Sequence, residues 1–280
     1  MPARGHSPSF SWNAADYHTS SQAQQQWAQE LIAKLALRGS EHVLDRGCGD
    51  GKVTAAIAES VPYGAVVGVD SSPEMIQFAR GHFSDNQHPN LLFIEMAAEA
   101  LQFFEEFDVI FSSAALHWVN NHRPVLSGIA RSLRPGRRIL IQMGGKGNAD
   151  QVFRALNVLL GNQCWRQYFK GFSFAFGFFG IEEYRKWLSD TGLASVLVEL
   201  IPKDIVFRTR QDFGSWIRTT WLPYLHRIPE DLHTAFIEAL IDQYLSMFRQ
   251  IPTGQFTLAW SGWKSRQKRQ DESYCMLRNL

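Results

Sequence analysis

A short glycine-rich segment offers the clearest chemistry in the chain. It reads DRGCGDG from Asp45 to Gly51, directly after an apolar stretch and directly before a helical one. Glycine at positions 47, 49 and 51 lets the backbone turn tightly and lets a ligand approach where no Cβ intervenes. The spacing is GxGxG, and Lys52 stands where a dinucleotide-binding fingerprint has its third glycine. The segment therefore predicts either a ligand-binding loop or a purely structural turn.

A second candidate, Asp70, follows the apolar stretch Val66–Val69. A carboxylate at the end of such a strand can accept hydrogen bonds from both hydroxyls of a ribose, which nicotinamide cofactors and S-adenosylmethionine share. Its alternative role is the N-cap of the next helix, but Ser72, followed by Pro73, already fits that role. We therefore expect Asp70 to bind a ribose.

Short apolar segments alternate with helical segments in the first half of the chain. Helices are predicted at Gln24–Leu37, after Ser72 and from Pro124. Strands are predicted at His42–Asp45, Ala65–Val69, Leu91–Ile94, Phe107–Phe111 and Arg138–Met143. This alternation favours parallel strands joined by right-handed crossovers, and so an α/β, doubly wound sheet. Ligands of such sheets bind beyond the carboxyl ends of the strands, where the glycine-rich segment and Asp70 lie.

An aromatic run marks the second half of the chain. Its rings are Trp165, Tyr168, Phe169, Phe172, Phe174, Phe176, Phe178 and Phe179. Most of them are expected to pack in a cap, but Phe174, Phe176 and Phe178 alternate with other residues and share a face if the segment is extended. The sequence thus leaves open core packing and an apolar pocket wall. Lys146, Arg166 and Lys170 are candidates to bind a substrate carboxylate.

A helical stretch at Pro229–Phe248 is apolar over a wide arc, so it must be largely covered. It lies between candidate strands at Ser195–Ile201 and Phe256–Trp263. We expect it to cover the rim of the active site.

Composition excludes several classes of protein. The 280 residues are 45% hydrophobic, and 28 Lys and Arg against 27 Asp and Glu give a net charge of +1. That balance argues against binding of nucleic acid or anionic lipid through bulk charge. No apolar stretch approaches the ~18 residues of a membrane helix, and no secretory signal is visible. Cys48, Cys164 and Cys275 fit neither a disulfide framework nor a metal clamp. We predict a cytoplasmic protein without a metal, a nucleic-acid partner or a membrane partner, and leave its oligomeric state open.

Several motifs carry a family resemblance. The segments VLDRGCGDG, VVGVDSSPEMI, FDVIFSSAALHWV and LRPGRRI resemble the successive motifs of class I S-adenosylmethionine-dependent methyltransferases. More narrowly, WNAADY, QQQWAQELI, SSAALHWV and MGGKGNA resemble the trans-aconitate methyltransferase-like group, which includes carboxyl O-methyltransferases that act on small or acyl-chain acids. The resemblance covers roughly Trp12–Ala149 and, more loosely, Phe256–Trp263. It implies a Rossmann-like, mostly parallel seven-stranded sheet, with S-adenosylmethionine as cofactor and S-adenosylhomocysteine as product.

The resemblance implies cofactor-binding roles at the sheet edge. Gly47 and Gly49 pass under the methionine part of the cofactor, and Asp45 supports that loop and the cofactor's ammonium. Asp70 holds the ribose hydroxyls, and the carbonyl of Ser113 accepts a hydrogen bond from the ammonium.

The adenine ring is implied to lie between two further segments. Ser71 and Met75 line one of its faces, and Ala97 and Ala98 offer backbone groups to its edge. The family usually has an aspartate at position 97, which hydrogen-bonds the adenine amino group. Ala97 lacks that contact, which is worth about 0.5–1.5 kcal/mol net.

The resemblance also implies a lid and a substrate side. Tyr17 and Gln24 close over the cofactor, and a helix before the first strand can exclude water, which sulfonium chemistry favours. His117 either orients or deprotonates the acceptor, or only caps local backbone beside a packed Trp118. Trp118 and Trp165 complete the candidate substrate residues with Lys146 and Arg166.

Two arginines depart from the family pattern. Arg46 replaces an apolar residue in a strand expected to be buried on both faces. It either snorkels, pairs with a carboxylate or contacts the cofactor. Arg137 replaces the second glycine of the usual LRPGG turn, which either strains that turn or shows that the residue is not left-handed there.

These inferences predict a methyltransferase with four regions. Residues 1–11 are a disordered leader, 12–150 a cofactor-binding core with an N-terminal lid helix, 151–263 a substrate cap with the last strands, and 264–280 a tail. The acceptor is a small molecule, with O-methylation of a carboxylate favoured. The alternatives are a catalytically silent S-adenosylmethionine-binding protein and a nicotinamide-dependent oxidoreductase.

Overall fold

The structure is a computed structural model that describes residues 11–193, 197–248, 256–264 and 276–278. Within these ranges, the side chains of residues 22–26, 202–204, 256–264 and 276–278 fall outside the description. The predicted leader, except for residue 11, and Cys275 therefore lie outside the described residues.

Eight strands are described, and they confirm the five predicted in the first half of the chain. They are β1 (His42–Arg46), β2 (Ala65–Asp70), β3 (Leu91–Glu95), β4 (Phe107–Ser113), β5 (Leu133–Gln142), β6 (Glu199–Phe207), β7 (Phe256–Lys264) and β8 (Met276–Arg278).

Ten α-helices are described in the same ranges. They are α1 (Ala14–Ser20), α2 (Gln22–Leu35), α3 (Lys52–Ser60), α4 (Pro73–His82), α5 (His122–Ser132), α6 (Asp150–Gly161), α7 (Ile181–Asp190), α8 (Arg210–Thr220), α9 (Leu222–Leu225) and α10 (His233–Met247). The cap of α4 is confirmed, because the Ser72 hydroxyl accepts from the Met75 amide and Pro73 is the first helical residue.

The main sheet is parallel and doubly wound, as predicted. Its strand order is β3-β2-β1-β4-β5-β8, and every neighbouring pair is parallel. The strand count differs from the expected seven: six of the described strands form this sheet. The other two, β6 and β7, form backbone hydrogen bonds with each other as a separate antiparallel ribbon.

The two remaining strand predictions shift in place. The strand expected at Ser195–Ile201 is observed at Glu199–Phe207, and residues 194–196 lie outside the description. Met276–Arg278 pair with β5, so these residues of the predicted tail belong to the sheet.

Both faces of the sheet are covered by helices. Leu31 of α2, Ile57 of α3 and Ile76 of α4 pack on one face. Ile129 of α5 and Leu188 of α7 pack on the other. Successive residues of β1 alternate between the faces, since Val43 belongs to the first cluster and Leu44 to the second.

A third apolar cluster forms the cap. It joins α6, α8 and α10 through buried residues such as Leu156, Phe213 and Leu240. The predicted helix at Pro229–Phe248 is observed as α10 after a short 3₁₀ turn, and its apolar face is buried as expected. None of the helices in the described part of the chain combines the length and apolar character needed to cross a bilayer.

Asp108 of β4 connects three strands. It is 6% exposed, accepts a hydrogen bond from the His42 amide at 3.0 Å, and forms ion pairs with Arg134 and Arg137, each at 3.0 Å. Burial opposes its ionisation, but the amide and the two arginines outweigh burial and hold the pKa of Asp108 below its ordinary value. Arg137 therefore has a structural partner, and the left-handed φ of 77° falls on Gly136, so the turn is not strained at Arg137.

We expect Asp108→Asn to lower the free energy of unfolding near pH 7 by about 1–2 kcal/mol, because charge-assisted contacts are lost between a buried carboxylate and two arginines that are themselves partly exposed. Since the folded-state pKa is lowered, the stabilisation is present above the unfolded-state pKa of about 4 and is lost as pH falls through the folded-state value. Urea unfolding at pH 7 and in acid measures the difference. A gap between the proteins that persists undiminished in acid would contradict this account.

Candidate active site

The glycine-rich loop between β1 and α3 is held tightly against its neighbours. The amides of Gly47 and Cys48 both donate to the Val69 carbonyl, at 2.8 and 3.1 Å. Gly47 has a φ of 77°, and a Cβ added there would lie 2.1 Å from the Ala115 Cβ. Only glycine fits this position, because the backbone is left-handed and the chain after β4 passes directly over it.

Asp70 braces this loop from the end of β2. One carboxylate oxygen accepts from the Gly49 amide at 2.9 Å and the other from the Ser72 amide at 3.0 Å. Burial raises the pKa of Asp70, although these amides and Arg46 oppose the shift. A carboxylate has about four acceptor positions, so two remain for the ribose hydroxyls that Asp70 is predicted to bind.

Asp45 is buried beside the same loop. It is 2% exposed and accepts a hydrogen bond from the Thr54 hydroxyl at 2.7 Å. Burial, with Asp70 and Asp50 as neighbouring charges, raises the pKa of Asp45 to about 7, against the effect of Thr54. A nearby cation would favour its ionised form, which is consistent with the predicted contact to an ammonium.

The predicted lid consists of two helices, of which α1 lies over the loop. A Cβ at Gly49 would be 3.9 Å from Cε1 of Tyr17. His18 of α1 contacts Asp50 at 2.8 Å, and Lys52 contacts the same carboxylate at 3.2 Å. The lid is therefore attached to the loop that it covers. The side chain of Gln24, in α2, lies outside the described residues.

A second attachment joins the lid to the cap. Arg218 of α8 donates through two nitrogens to the two carboxylate oxygens of Asp16, both at 2.8 Å. Asp16 follows the α1 N-cap Asn13, whose side chain accepts from the Asp16 amide.

The predicted adenine residues lie at neighbouring strand ends. The Met96 amide donates to the Asp70 carbonyl at 2.8 Å, which keeps the end of β3 beside Asp70. Ala97 is exposed and precedes the 3₁₀ turn that begins at Ala98. Met75 is buried and Ser71 exposed at the start of α4. Their contacts to adenine stay predictions.

Ser113 ends β4 on the same sheet edge. Its hydroxyl oxygen is buried with no hydrogen-bond partner among the described residues. The predicted role of its carbonyl stays a prediction.

A cavity of about 570 Å³, including space open to solvent, adjoins the lid and the end of β4. Its lining is mostly aromatic and contains no aspartate, glutamate, lysine or arginine of the described chain. The lining residues are Trp12, Tyr17, Trp27, Ala114, His117, Trp118, Asn148, Ala149, Phe153, Phe176, Phe178, Trp216, Thr220 and Trp221.

The aromatic run divides between the two roles that the sequence left open. Phe176 and Phe178 line the cavity and stack with ring centroids 5.1 Å apart, and Phe174 packs on Phe176 at 4.8 Å. Phe169 and Phe172 belong to the packing of the cap. The extended stretch after α6 thus forms the predicted pocket wall.

Three candidate substrate residues do not lie in the cavity. Trp165 packs on Phe236 of α10 at 5.0 Å, inside the cap. Arg166 and Lys146 are exposed and absent from the lining. Trp165 and Arg166 lie in the turns that follow α6, whereas Lys146 lies two residues before the lining residue Asn148 but has an exposed side chain. Their roles in binding the acceptor stay predictions. Of the candidate substrate residues, Trp118 does line the cavity.

The structure assigns His117 a neutral state. It is 8% exposed, its Nδ1 accepts from the Gly144 amide at 3.3 Å, and burial, with His122 nearby, lowers its pKa to about 3. The ring proton is therefore on Nε2 at neutral pH. The hydrogen bond from the Gly144 amide is what the capping role predicts, and the low pKa argues against deprotonation of the acceptor. Orientation of the acceptor by His117 stays a prediction. Tyr17 also stays protonated, since burial, Asp50 and Asp70 raise its pKa.

Sequence reasoning missed several cavity residues. Trp27 comes from α2, whereas Trp216 and Trp221 come from α8 and its C-cap, far away in the sequence, and no local pattern joins them. Asn148 lay within the quoted segment MGGKGNA, but nothing in that segment pointed to its side chain. The helix α10, expected at the active-site rim, contributes no residue to the cavity lining.

Arg46 fits two of its three predicted roles poorly, and the third, contact with the cofactor, stays a prediction. It is 2% exposed, so it does not snorkel. Its Nε and Nη2 have no hydrogen-bond partner, and no carboxylate in the described part of the chain lies within ion-pair distance. Burial lowers its pKa to about 10. The structure does not explain why an arginine occupies this position.

Known proteins share this architecture. Residues 43–136 match a family model described as a methyltransferase domain. An uncharacterised methyltransferase of Schizosaccharomyces pombe is 29% identical over 230 residues, covering 80% of this chain and 85% of the relative. A trans-aconitate 2-methyltransferase of Escherichia coli is 27% identical over 250 residues, covering 89% and 94%. The crystal structure of a candidate methyltransferase of Bacillus halodurans shares the fold, with a TM-score of 0.59, 19% identity and coverage of 86% and 98%.

The loop and its neighbours suit S-adenosylmethionine on physical grounds. Glycines without a Cβ leave room beside the loop, and Asp70 keeps acceptor positions for a ribose. Asp45, Asp50 and Asp70 surround the loop with acidic groups, which favours a ligand that carries positive charge. The domain matched by residues 43–136 and the relatives, taken with these features, support an S-adenosylmethionine-dependent methyltransferase.

Proposed function

We propose that this methyltransferase acts on the carboxylate of a mostly apolar small-molecule acid in the cytoplasm. The observation that carries the proposal is the aromatic cavity, which meets the glycine-rich loop at Tyr17 and has no charged side chain in its described lining. In this proposal residues 12–150 bind the cofactor, and both 12–150 and 151–263 contribute to the acceptor pocket, with eight and six of its described lining residues.

The absence of a suitable base in the described lining favours a carboxylate. A carboxylate is ionised at neutral pH and needs no deprotonation, whereas a hydroxyl or an ammonium acceptor does. His117 has a pKa of about 3 and its Nδ1 is engaged by Gly144. Tyr17 is held protonated by burial and by neighbouring carboxylates, which raise its pKa.

The relatives support an acid as acceptor, and the cavity narrows the kind of acid. The Escherichia coli relative is named for trans-aconitate, which carries three carboxylates. Burying several carboxylates requires several cationic partners, and the described lining offers none. An acid with one carboxylate and an apolar body fits this cavity better.

The protein's contribution to the reaction is alignment and exclusion of water. S-adenosylmethionine supplies a methyl group that is already activated by the sulfonium. Asp70 and the glycine loop fix one side of the site, the cavity holds the acceptor, and α1 covers the boundary between them. Alignment of two reactants is worth up to about 7–11 kcal/mol.

The acceptor prediction is that methyl ester formation improves with the apolar length of a monocarboxylic acid. Each methylene buried against the aromatic wall contributes about 0.8 kcal/mol, so KM should fall about fourfold per added methylene until the cavity is full. A homologous series of monoacids, with trans-aconitate and citrate alongside, measures this. Faster turnover of either tricarboxylate than of every monoacid would show that the pocket is polar.

Asp70→Ala is expected to weaken binding of S-adenosylmethionine by at least ~1.5 kcal/mol, because charge-assisted hydrogen bonds to the ribose are lost. Calorimetry measures the affinity, and the urea midpoint reports whether the variant is folded, since Asp70 also braces Gly49. Unchanged affinity in a folded variant would exclude Asp70 from the ribose site.

Cofactor affinity is expected to depend on pH through Asp45, whose pKa is about 7. Below that value the carboxyl is mostly neutral, and binding that favours the ionised form must first remove its proton. Affinity should therefore rise several-fold between about pH 6 and pH 8. Calorimetric titration with S-adenosylhomocysteine tests this, and Asp45→Asn, which keeps an acceptor for Thr54, should flatten the dependence. Parallel pH curves for the two proteins would refute the role of Asp45.

A further inference from the structure

Apart from Tyr17 and the tryptophans, each of which carries one indole N–H donor, three polar side chains are found in the described lining: His117, Asn148 and Thr220. The Thr220 hydroxyl donates to the Trp216 carbonyl at 2.5 Å within helix α8. Its proton is therefore engaged, and it has no donor to offer a ligand.

His117 presents one donor to the cavity. Because its Nδ1 accepts from the Gly144 amide, the neutral ring carries its proton on Nε2. No partner for Nε2 is found among the described residues, and the ring lies in the cavity wall beside Trp118 and Phe178, with centroids 5.8 Å from each.

Asn148 is an unsatisfied amide in the same wall. It is 3% exposed, and its buried Oδ1 has no hydrogen-bond partner in the described part of the chain. A buried amide without a partner is destabilising by about 1–3 kcal/mol, so its retention at a cavity wall points to a ligand that satisfies it. Rotation of the amide by half a turn exchanges oxygen and nitrogen, so the group can present its NH₂ as a donor.

Gly144 brings these two side chains together. Its amide binds His117, and a Cβ added to it would lie 3.1 Å from Cγ of Asn148 and 2.6 Å from a ring carbon of Phe178. The absence of a side chain at position 144 therefore lets the imidazole, the amide and the aromatic wall lie next to one another.

We propose that His117 and Asn148 hold the acceptor's reacting carboxylate as a pair of neutral hydrogen-bond donors. This inference rests on the proposed function and identifies the polar end of the acceptor site. Two neutral donors suit one carboxylate, because each oxygen can accept one hydrogen bond. They are positioning residues that contact the acceptor, and neither takes a proton from it.

The test is calorimetric binding of octanoate and of its neutral analogue octanamide to the protein saturated with S-adenosylhomocysteine, so that no reaction occurs. Asn148→Leu and His117→Phe, each of which removes a donor, should weaken octanoate binding about tenfold or more. Asn148→Asp places a second negative charge beside the carboxylate and should weaken octanoate binding about 100-fold, with a much smaller effect on octanamide.

Gln151→Leu is the matched control. It makes the same kind of amide-to-alkyl change in α6, where Gln151 accepts from the Tyr244 hydroxyl at 2.8 Å outside the cavity lining. Octanoate affinity should stay within about twofold of wild type in this variant. Affinity for S-adenosylhomocysteine reports whether each variant is folded.

The outcomes separate this inference from the proposed function. Octanoate affinity that stays within about threefold of wild type in the Asn148 variants, or equal losses for octanoate and octanamide in Asn148→Asp, would overturn the donor pair while leaving an apolar acid as acceptor. Failure of the wild-type protein to bind either probe while it binds S-adenosylhomocysteine would overturn the proposed function, and the donor pair with it.

Discussion

The Asp70 carboxylate links the loop between β1 and α3 to the connection between β2 and α4, because it accepts hydrogen bonds from the amides of Gly49 and Ser72. These two hydrogen bonds hold the glycine loop against the end of β2, where the Val69 carbonyl already binds two of its amides. The loop can be held so closely only because Gly47 has no side chain to strike Ala115. The position of the lid follows from this arrangement, since Tyr17 packs beside Gly49.

Charge is divided sharply between the two sides of the site. Carboxylates surround the loop, and burial among them raises the pKa of Asp45 to about 7. The adjoining cavity is lined by rings and neutral polar groups in the described chain. A positively charged cofactor is therefore favoured on one side of Tyr17 and an apolar molecule on the other. Under the proposed function, the fold would thus separate cofactor and acceptor by electrostatics and by solvation.

The sequence predicted the parallel sheet and the cofactor edge because both depend on local patterns. The strands β1 to β5, the Ser72 cap and the left-handed glycines all follow from spacing and residue type. The cavity depends on packing between distant segments, such as those that bring Trp27 and Trp221 into one cluster, which no local pattern encodes. The exposure of Lys146 and Arg166 could not be predicted for the same reason, since neighbourhood in sequence does not determine which way a side chain faces.

The state of His117 also needed the fold. Its residue type permits a base, a donor or a cap, and only burial together with the Gly144 amide selects the neutral donor. For Arg46 the fold is less informative: the structure shows that the side chain is buried but not why an arginine occupies this position.

The bidentate pair between Asp16 and Arg218 spans 202 positions of the chain. Contacts of such long sequence separation are expected to form late in folding, because a large loop must close, with a loss of chain entropy, before the contact stabilises the fold. During synthesis from the N-terminus, the lid therefore emerges long before its anchor on α8. The sheet can form around the glycine loop while α1 is held through its contact with Asp50. The second attachment forms only after α8 has folded, so the complete anchoring of α1 is coupled to completion of the cap.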